Sequence, residues 1–313
     1  MIALRDAVGR LSAALGGSPA AKLAASALVE ADALGLPRFG IAMLDEWTAD
    51  AGAIPKACGP QAASWLDCSS CFAPLAVASA TLDLAATARQ SGIAAVFLRG
   101  VRGFGRLAPF VRHLADAGLV GIAGAEGPPF VAPHGGTRPV IGTNPFALAM
   151  GRGSERVVID IASSSATMAD IKTARMTDAP LPDGIALDGA GQPTSVAADV
   201  AALLPRGGRI GSLLGLTVEL MGGVAGAGRG DPKGRGVFIL AFDPAAGGES
   251  IDWQGRLCAL KSDWTDGGGY WPRGGALAAG AMLDGDFAHR LDIHLARMTG
   301  QAGCRLPMPK VDR

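Results

Sequence analysis

The chain has 313 residues, 49% of them hydrophobic and 18% charged, with 28 Lys+Arg balanced by 28 Asp+Glu. That balance, with no basic run, argues against a nucleic-acid or anionic-membrane partner, and no stretch reaches the ~18 apolar residues of a membrane span. The apolar content allows a sizeable core in one large domain or two moderate ones and argues against wholesale disorder.

Leu4, Val8, Leu11 and Leu15 recur at three- and four-residue steps and predict an amphipathic helix that stops at Gly16-Gly17. Ser18-Pro19 reads as a helix start, with serine as N-cap and proline in the first turn. That second helix carries Leu23, Ala27, Val29 and Leu34 and ends near Gly35 to Pro37. Phe39–Trp47 is compatible with strand or helix, and Ala51–Pro60 reads as loop. Trp65-Leu66-Asp67 looks like a short strand, Ala73–Gln90 like a helix closed by Gly92, and Ile93–Leu98 like a β-type run. A helix from about Leu107 to Ala117 ends at Gly118, and Leu119–Ala123 is a further strand. This alternation predicts an α/β sheet with crossover helices.

The stretch Pro133–Lys172 holds a glycine pair, Gly135-Gly136, and a compact Gly142-Thr-Asn-Pro145 turn. Glycine lets backbone approach a ligand closely, and Thr143 and Asn144 offer short polar side chains. The apolar strand Val157–Ile161 is broken by Asp160 and followed by Ser163–Ser165. A charge inside such a strand needs a partner, because burying it alone costs several kcal/mol or forces protonation. Two tight turns flanking a core strand would explain the same pattern without a ligand. Downstream, Asp183–Pro193 reads as a polar turn, Val196–Leu204 as helical, and Leu213–Met221 as an apolar helix containing Glu219. Gly222–Gly236 reads as a glycine-rich loop, Val237–Phe242 as a strong strand, Gly267–Gly275 as loop and Phe287–Met298 as a closing helix.

Neither glycine cluster is a dinucleotide fingerprint. The GAGRG of Gly226–Gly230 follows a helix and leads into a strand, the reverse of the required order, and Gly100–Gly105 misses the spacing. Five cysteines without a disulfide framework favour a reducing cytoplasm. Nothing completes Cys68-Ser-Ser-Cys71 as a metal site, so two small buried thiols are expected there and no metal. Of four histidines, His113 reads as an exposed helical residue, and His289 and His294 stand five residues apart, poorly placed to share a helix face.

The ordered pieces resemble one family. They include Glu30-Ala-Asp32-Ala-Leu-Gly35, Ala117-Gly118-Leu-Val-Gly121, Pro128-Pro129, Gly142-Thr-Asn-Pro145, Ile159-Asp160-Ile-Ala-Ser163-Ser and Phe238-Ile-Leu-Ala-Phe-Asp243-Pro244. Together they are similar to the malate/L-lactate dehydrogenase-like oxidoreductases, a family that includes sulfolactate and ureidoglycolate dehydrogenases and Δ1-piperideine-2-carboxylate reductase. The resemblance implies an α/β, non-Rossmann mixed-sheet fold with an N-terminal helical region, NAD or NADP as cofactor, and a homodimer. It divides the chain into residues 1–115 with 265–313, and a cofactor-binding unit at 116–264. It implies cofactor contacts at Gly127, Pro128, Asp160, Ile161, Ala162, Ser163 and Arg209, and a small carboxylate as substrate. Trp253–Ala279 looks like added material.

The departures bear on chemistry. Phe39 stands where the family's acid/base histidine is usual, and the family's Asn-His-x-Gly element, whose histidine lines the site, falls on Arg102-Gly103-Phe104-Gly105, where the imidazole is absent. Ala169-Asp170 replaces a Gly-Lys pair, Asp170 reading as a solvated helix charge, and the segment holding Arg209 lacks the family's lysine. Arg38 and Arg102 flank the two lost histidine positions and could clamp a carboxylate, although arginine is a poor proton donor. Asp160 and His134 remain as catalytic candidates, with Arg38, Arg102, Thr143 and Asn144 as substrate contacts. Losing a general acid disfavours alcohol oxidation more than reduction of a protonated cyclic imine, which tilts the expected substrate toward cyclic 2-imino acids. A catalytically lapsed paralogue that acts as a binding or regulatory partner is the competing expectation.

Overall fold

The computed structural model describes residues 1–47, 62–226, 235–248, 252–275, 277–278 and 280–300. Strand β1 (Ile2–Ala3) leads into α1 (Leu4–Ala14) and α2 (Pro19–Ala33). The Ser18 hydroxyl caps α2 by accepting from the Ala21 N–H at 3.1 Å. Phe39–Trp47 is neither strand nor α-helix. Two 3₁₀ turns, Pro37–Phe39 and Ile41–Glu46, occupy the region, and the backbone between them is fastened by the Asp32 carboxylate, which accepts from the Ile41 N–H at 2.6 Å. The loop expected at Ala51–Pro60 lies outside the described residues.

Strand β2 (Ala63–Asp67), α3 (Ala73–Ser91) and β3 (Ile93–Val101) form the expected crossover, with β2 and β3 parallel. Gly92 ends α3 at φ +80°, a left-handed backbone that glycine adopts without a Cβ penalty. Helix α4 (Ala108–Asp116) and β4 (Val120–Ala125) follow. The central sheet has the order β2-β3-β9-β4-β5-β6, where β5 is Pro145–Met150, β6 is Val157–Ala162 and β9 is Arg235–Phe242. Strand β9 lies antiparallel between β3 and β4, so the sheet is mixed. It takes strands from both sides of residue 115.

Both faces of the sheet centre are covered, which is why its strands read as continuous apolar runs. Val237, Ile239 and Ala241 of β9, with Ala94, Val96 and Leu98 of β3, enter the main core beneath α1–α4. Phe238 and Leu240, with Ala95 and Phe97, face the opposite side, where Val218 of α6 (Arg209–Gly223) covers them. A separate core gathers Val131, Ile141, Ile171, Ala186, Ala197, Val200 and Leu203. It includes α5 (Met168–Thr177) and the antiparallel pair β7 (Ala186–Leu187) and β8 (Ala202–Leu203).

That second core corrects the reading of Val196–Leu204 as helix. The segment is one short 3₁₀ turn, Ala197–Asp199, followed by β8, because pairing with β7 buries Ala202 and Leu203 together. The supposed polar turn at Asp183–Pro193 accordingly contains a buried strand, β7. Helix α6 starts at Arg209, ahead of the expected Leu213, and runs on through Gly222-Gly223, which were read as loop. The added segment begins with α7 (Trp253–Asp266), and its following loop returns to β6, where the Val158 N–H donates to the Pro272 carbonyl at 2.9 Å. Strand β10 (Met282–Leu283) pairs with β1, and α8 (Gly285–Met298) packs on α1. Among the described residues no helix is long and apolar enough to cross a membrane.

Candidate active site

A cavity of about 580 Å³ opens where the first 3₁₀ turns, the loop after β3, the end of β4 and the end of β6 converge. Two segments of backbone meet on one side. A Cβ on Gly142 would fall 2.4 Å from the Gly127 Cα, so the crossing has no room for a side chain at Gly142, while one at Gly127 would meet the Gly142 Cα tightly at 3.3 Å. Asn144, at φ +37° and with 0% of its surface exposed, holds the crossing from behind. Its Oδ1 accepts from the Gly127 N–H at 3.0 Å, and its Nδ2 donates to the Gly215 carbonyl at 2.9 Å and to Glu219 at 2.8 Å. Gly127, Pro128, Thr143 and Pro145 line the cavity from this wall, joined by Ile161 and Ala162 at the end of β6. Ile161 leaves 41% of its surface open, an apolar ledge at a strand terminus.

The other wall belongs to Leu36, Arg38, Phe39 and Met43, with Val101, Gly103, Phe104 and Gly105. Asp32 supports it: besides accepting from Ile41, it pairs with Arg290 of α8 at 3.0 Å. Phe39 and Phe104 both face this lining, half-buried. Arg38 sits exposed at the rim with Nη2 3.3 Å from the Met176 sulfur of α5.

Asp160 lies at the floor between the walls. Its Oδ2 accepts from the Ala108 N–H, the first residue of α4, at 3.2 Å, and the Arg106 Nη2 stands 3.5 Å away. Burial raises the Asp160 carboxyl above its ordinary range, against the pull of Arg106 and the Ala108 N–H. Arg106 in turn donates to Glu30 at 3.2 Å and to the Gly274 carbonyl at 2.9 Å. Glu30 also receives both terminal nitrogens of Arg112. The charge foreseen to need a partner therefore has one, inside a buried cluster of two acids and two arginines.

Of the expected site residues, the cavity gathers Arg38, Gly127, Pro128, Thr143, Asp160, Ile161 and Ala162. Asn144 is not a lining residue; its amide is spent on backbone and Glu219. Ser163 is also off the lining, 2% exposed, with its hydroxyl donating to the Thr143 carbonyl at 3.0 Å. His134 stands exposed over Gly208 at the start of α6, its N–H donating to the Ser212 hydroxyl at 3.1 Å. Arg209 is exposed at the first position of α6, and Arg102 is exposed between the lining residues Val101 and Gly103.

The cavity also contains Asp170 and residues that the sequence does not single out: Arg106, Glu126, Thr167, Met168 and Arg235. Glu126 binds both sides of Gly236, its carboxylate accepting from the Gly236 N–H at 2.8 Å. Its position directly before Gly127-Pro128 was the available signal. Asp170, exposed as expected, also closes a capping box with Thr167 at the start of α5. His113 is half-buried rather than exposed, and burial lowers its proton affinity. Cys68 is buried, which pushes its thiol up to about 12, while Cys71 is half-buried. Among the described residues no group of three or more His, Cys, Asp or Glu is placed to hold a metal ion.

This arrangement is a mixed-sheet dehydrogenase fold with its cavity at the ends of β4 and β6. The crystal structure of Δ1-piperideine-2-carboxylate reductase from Pseudomonas syringae pvar. tomato matches it with TM-score 0.73 and 28% identity over 95% of this chain and 93% of that one. Residues 3–263 match the malate/L-lactate dehydrogenase family, and the chain belongs to that family. It is 34% identical over 271 residues to a (2R)-3-sulfolactate dehydrogenase (NADP(+)) of Chromohalobacter salexigens, covering 78% of this chain and 81% of that protein. It is 36% identical over 162 residues to a ureidoglycolate dehydrogenase (NAD(+)) of Escherichia coli O157:H7, covering 51% and 46% respectively. The chain spans about half the length of the curated Δ1-pyrroline-2-carboxylate reductases it matches. These relatives include NADP(+)- and NAD(+)-dependent dehydrogenases and reductases of small carboxylates.

Proposed function

We propose that the chain is an NAD(P)-dependent oxidoreductase acting on a small carboxylated substrate, a cyclic 2-imino acid ahead of a 2-oxo or 2-hydroxy acid. One observation carries the choice of substrate: among its described lining residues the cavity presents Phe39 and no histidine, with Asp160 the acid on its floor and Glu126 and Asp170 elsewhere in the lining. A bound nicotinamide would supply the hydride. Gly127, Pro128, Thr143, Ile161 and Ala162 would position it, within a cofactor unit spanning residues 116–264 that residues 1–115 and the C-terminal segment complete. Arg38 at the rim would hold the substrate carboxylate as a bidentate clamp, with Arg102, exposed between the lining residues Val101 and Gly103, as a second candidate contact. Asp160 would exchange the proton. A protonated imine accepts hydride at carbon without a donor there, whereas alcohol oxidation must expel a proton through a strong base. NAD(P)H oxidation measured across a panel of cyclic imino acids and 2-oxo acids tests the reading. Turnover of pyruvate or oxaloacetate with none of the imines rejects the substrate class.

The missing imidazoles favour a second reading, a catalytically lapsed paralogue that keeps the fold as a binding or regulatory partner. Fluorescence titration with NADH and NADPH separates the two: an enzyme quenches or enhances the signal, and a chain that leaves both unchanged at millimolar cofactor is not one. We further propose a homodimer. The outer face of α6 exposes Ile210 at 80%, Leu213 at 53% and Leu220 at 66%, an apolar stripe suited to a second copy. Light scattering behind size exclusion reads the mass directly. The three described cysteines are unpaired, in keeping with the reducing cytoplasm inferred from the sequence.

A further inference from the structure

We propose that Arg106 is a positioning residue for Asp160: its guanidinium, anchored by Glu30 and the Gly274 carbonyl, orients the Asp160 carboxyl in the cavity and sets its proton affinity. The inference rests on the reading of Asp160 as the acid of the cavity.

The geometry is specific. Arg106 leaves the loop after β3 two residues beyond Phe104 and reaches three elements at once: Glu30 of α2, Asp160 of β6 and the Gly274 loop. Its side chain is 14% exposed, as is that of Asp160, so both groups meet the cavity while staying mostly withdrawn from water. Glu30, 8% exposed, is held in turn by a two-pronged contact from Arg112. The charges facing Asp160 are therefore Arg106 from the β3–α4 loop, Glu30 from α2 and Arg112 from α4, with the Ala108 N–H at the positive end of α4. Across the cavity, Arg38, Glu126, Asp170 and Arg235 complete the charged lining.

Two opposing signs follow. The cation Arg106 favours ionised Asp160, and the anion Glu30 disfavours it, both directly and by occupying part of the Arg106 fork. Replacing Arg106 should make Asp160 hold its proton to higher pH; replacing Glu30 should release it at lower pH. The opposed shifts show that both charges reach Asp160; orientation by the fork is read from Arg106→Lys, which keeps the charge and would leave the titration unmoved if charge alone mattered.

The experiment is a carboxyl carbon NMR titration of the full chain labelled in aspartate, with the Asp160 resonance assigned by its absence in Asp160→Asn. Arg106→Gln and Glu30→Gln are expected to move that titration in opposite directions, up and down respectively. Arg106→Lys keeps the charge without the fork and should fall between wild type and Arg106→Gln. If Arg106→Gln does not fold, Arg106→Lys and Glu30→Gln still carry the sign test. An unmoved titration, or shifts of the same sign, overturns the proposal. The measurement needs neither cofactor nor turnover. Opposed shifts without NAD(P)H oxidation on any substrate would leave the role of Arg106 standing and remove the proposed reaction; turnover without the shifts would do the reverse.

Discussion

The cavity wall at Gly127, Gly142 and Ile161 is held from behind by a buried amide, Asn144, whereas the wall at Leu36–Met43 hangs on a buried acid, Asp32. In the first, backbone meets backbone so closely that a single added Cβ would collide. In the second, the backbone is fixed equally well, with Ile41 pinned by Asp32, but what reaches the cavity is side chain: Arg38, Phe39 and Met43. A wall made of main chain loses its shape when its residues change. One made of side chains can change its chemistry and keep its shape, and here it presents the phenyl ring of Phe39 where an imidazole is usual in the family. The acid between the walls, Asp160, has Arg106 as its charge partner.

The largest expected effect tests the floor. If Asp160 exchanges the proton, Asp160→Asn should lower turnover by ~10²–10⁴-fold while NAD(P)H titration shows nearly unchanged affinity. Lost cofactor binding with proportionate loss of turnover would instead assign Asp160 to the cofactor wall. Next, Asn144→Ala should unsettle the main-chain wall. It leaves the Gly127 N–H, the Gly215 carbonyl and Glu219 without their amide partner, a stability cost of about 1–3 kcal/mol in urea unfolding. Its kinetic signature should be a raised KM for cofactor rather than a lowered kcat. An unchanged cofactor KM would mean that the crossing of the two turns does not shape the cofactor site.

Phe39→His should sharpen the contrast from the other side. Restoring an imidazole to a wall that is already fixed should raise oxidation of a 2-hydroxy acid by roughly tenfold, the low end of general-base effects, because no second group orients the ring. The gain should appear only above the imidazole's own titration, with imine reduction little changed. No gain at any pH would show that Phe39 does not occupy a proton-transfer position.

What was legible in the sequence follows the same division. The doubly covered strands β3, β4 and β9 announced themselves as apolar runs, and the charge at Asp160 stood out within the apolar run of β6. Strand β5 was hidden, because Pro145–Met150 directly continues a turn motif and exposes only alternate residues. Strands β7 and β8, two residues each, gain their identity only by pairing across fourteen intervening residues. Asn144 looked like a ligand contact because a polar turn residue and a buried brace are the same letter in the chain. Glu30, Arg106 and Arg112 were visible as isolated charges, yet their meeting with Asp160 spans 130 positions from Glu30 and is a property of the packed fold alone.

The smallest effect compares the two braces by pH. Asp32 has a side chain only 1% exposed, and burial raises its carboxyl despite the Ile41 N–H and Arg290. A folded value above the unfolded ~3.9 means that this group's contribution to stability is complete below that pH and is lost as pH rises through the folded value. The exposed Asp67 has the opposite sign. Hydrogen bonds from Ser69 and the Arg99 guanidinium hold it down to about 2, so its contribution is present above ~3.9 and is lost as pH falls through about 2. Asp32→Asn keeps an acceptor for Ile41 but cannot titrate. The stability advantage of wild type over this variant should therefore shrink between pH 4 and pH 7 in urea midpoints. The deficit of Asn144→Ala should stay level over the same range, because an amide does not titrate. A wild-type advantage over Asp32→Asn that grows with pH would show that the Arg290 pairing outweighs burial, making the acid-held wall as ordinary an ion pair as Asp67 and Arg99.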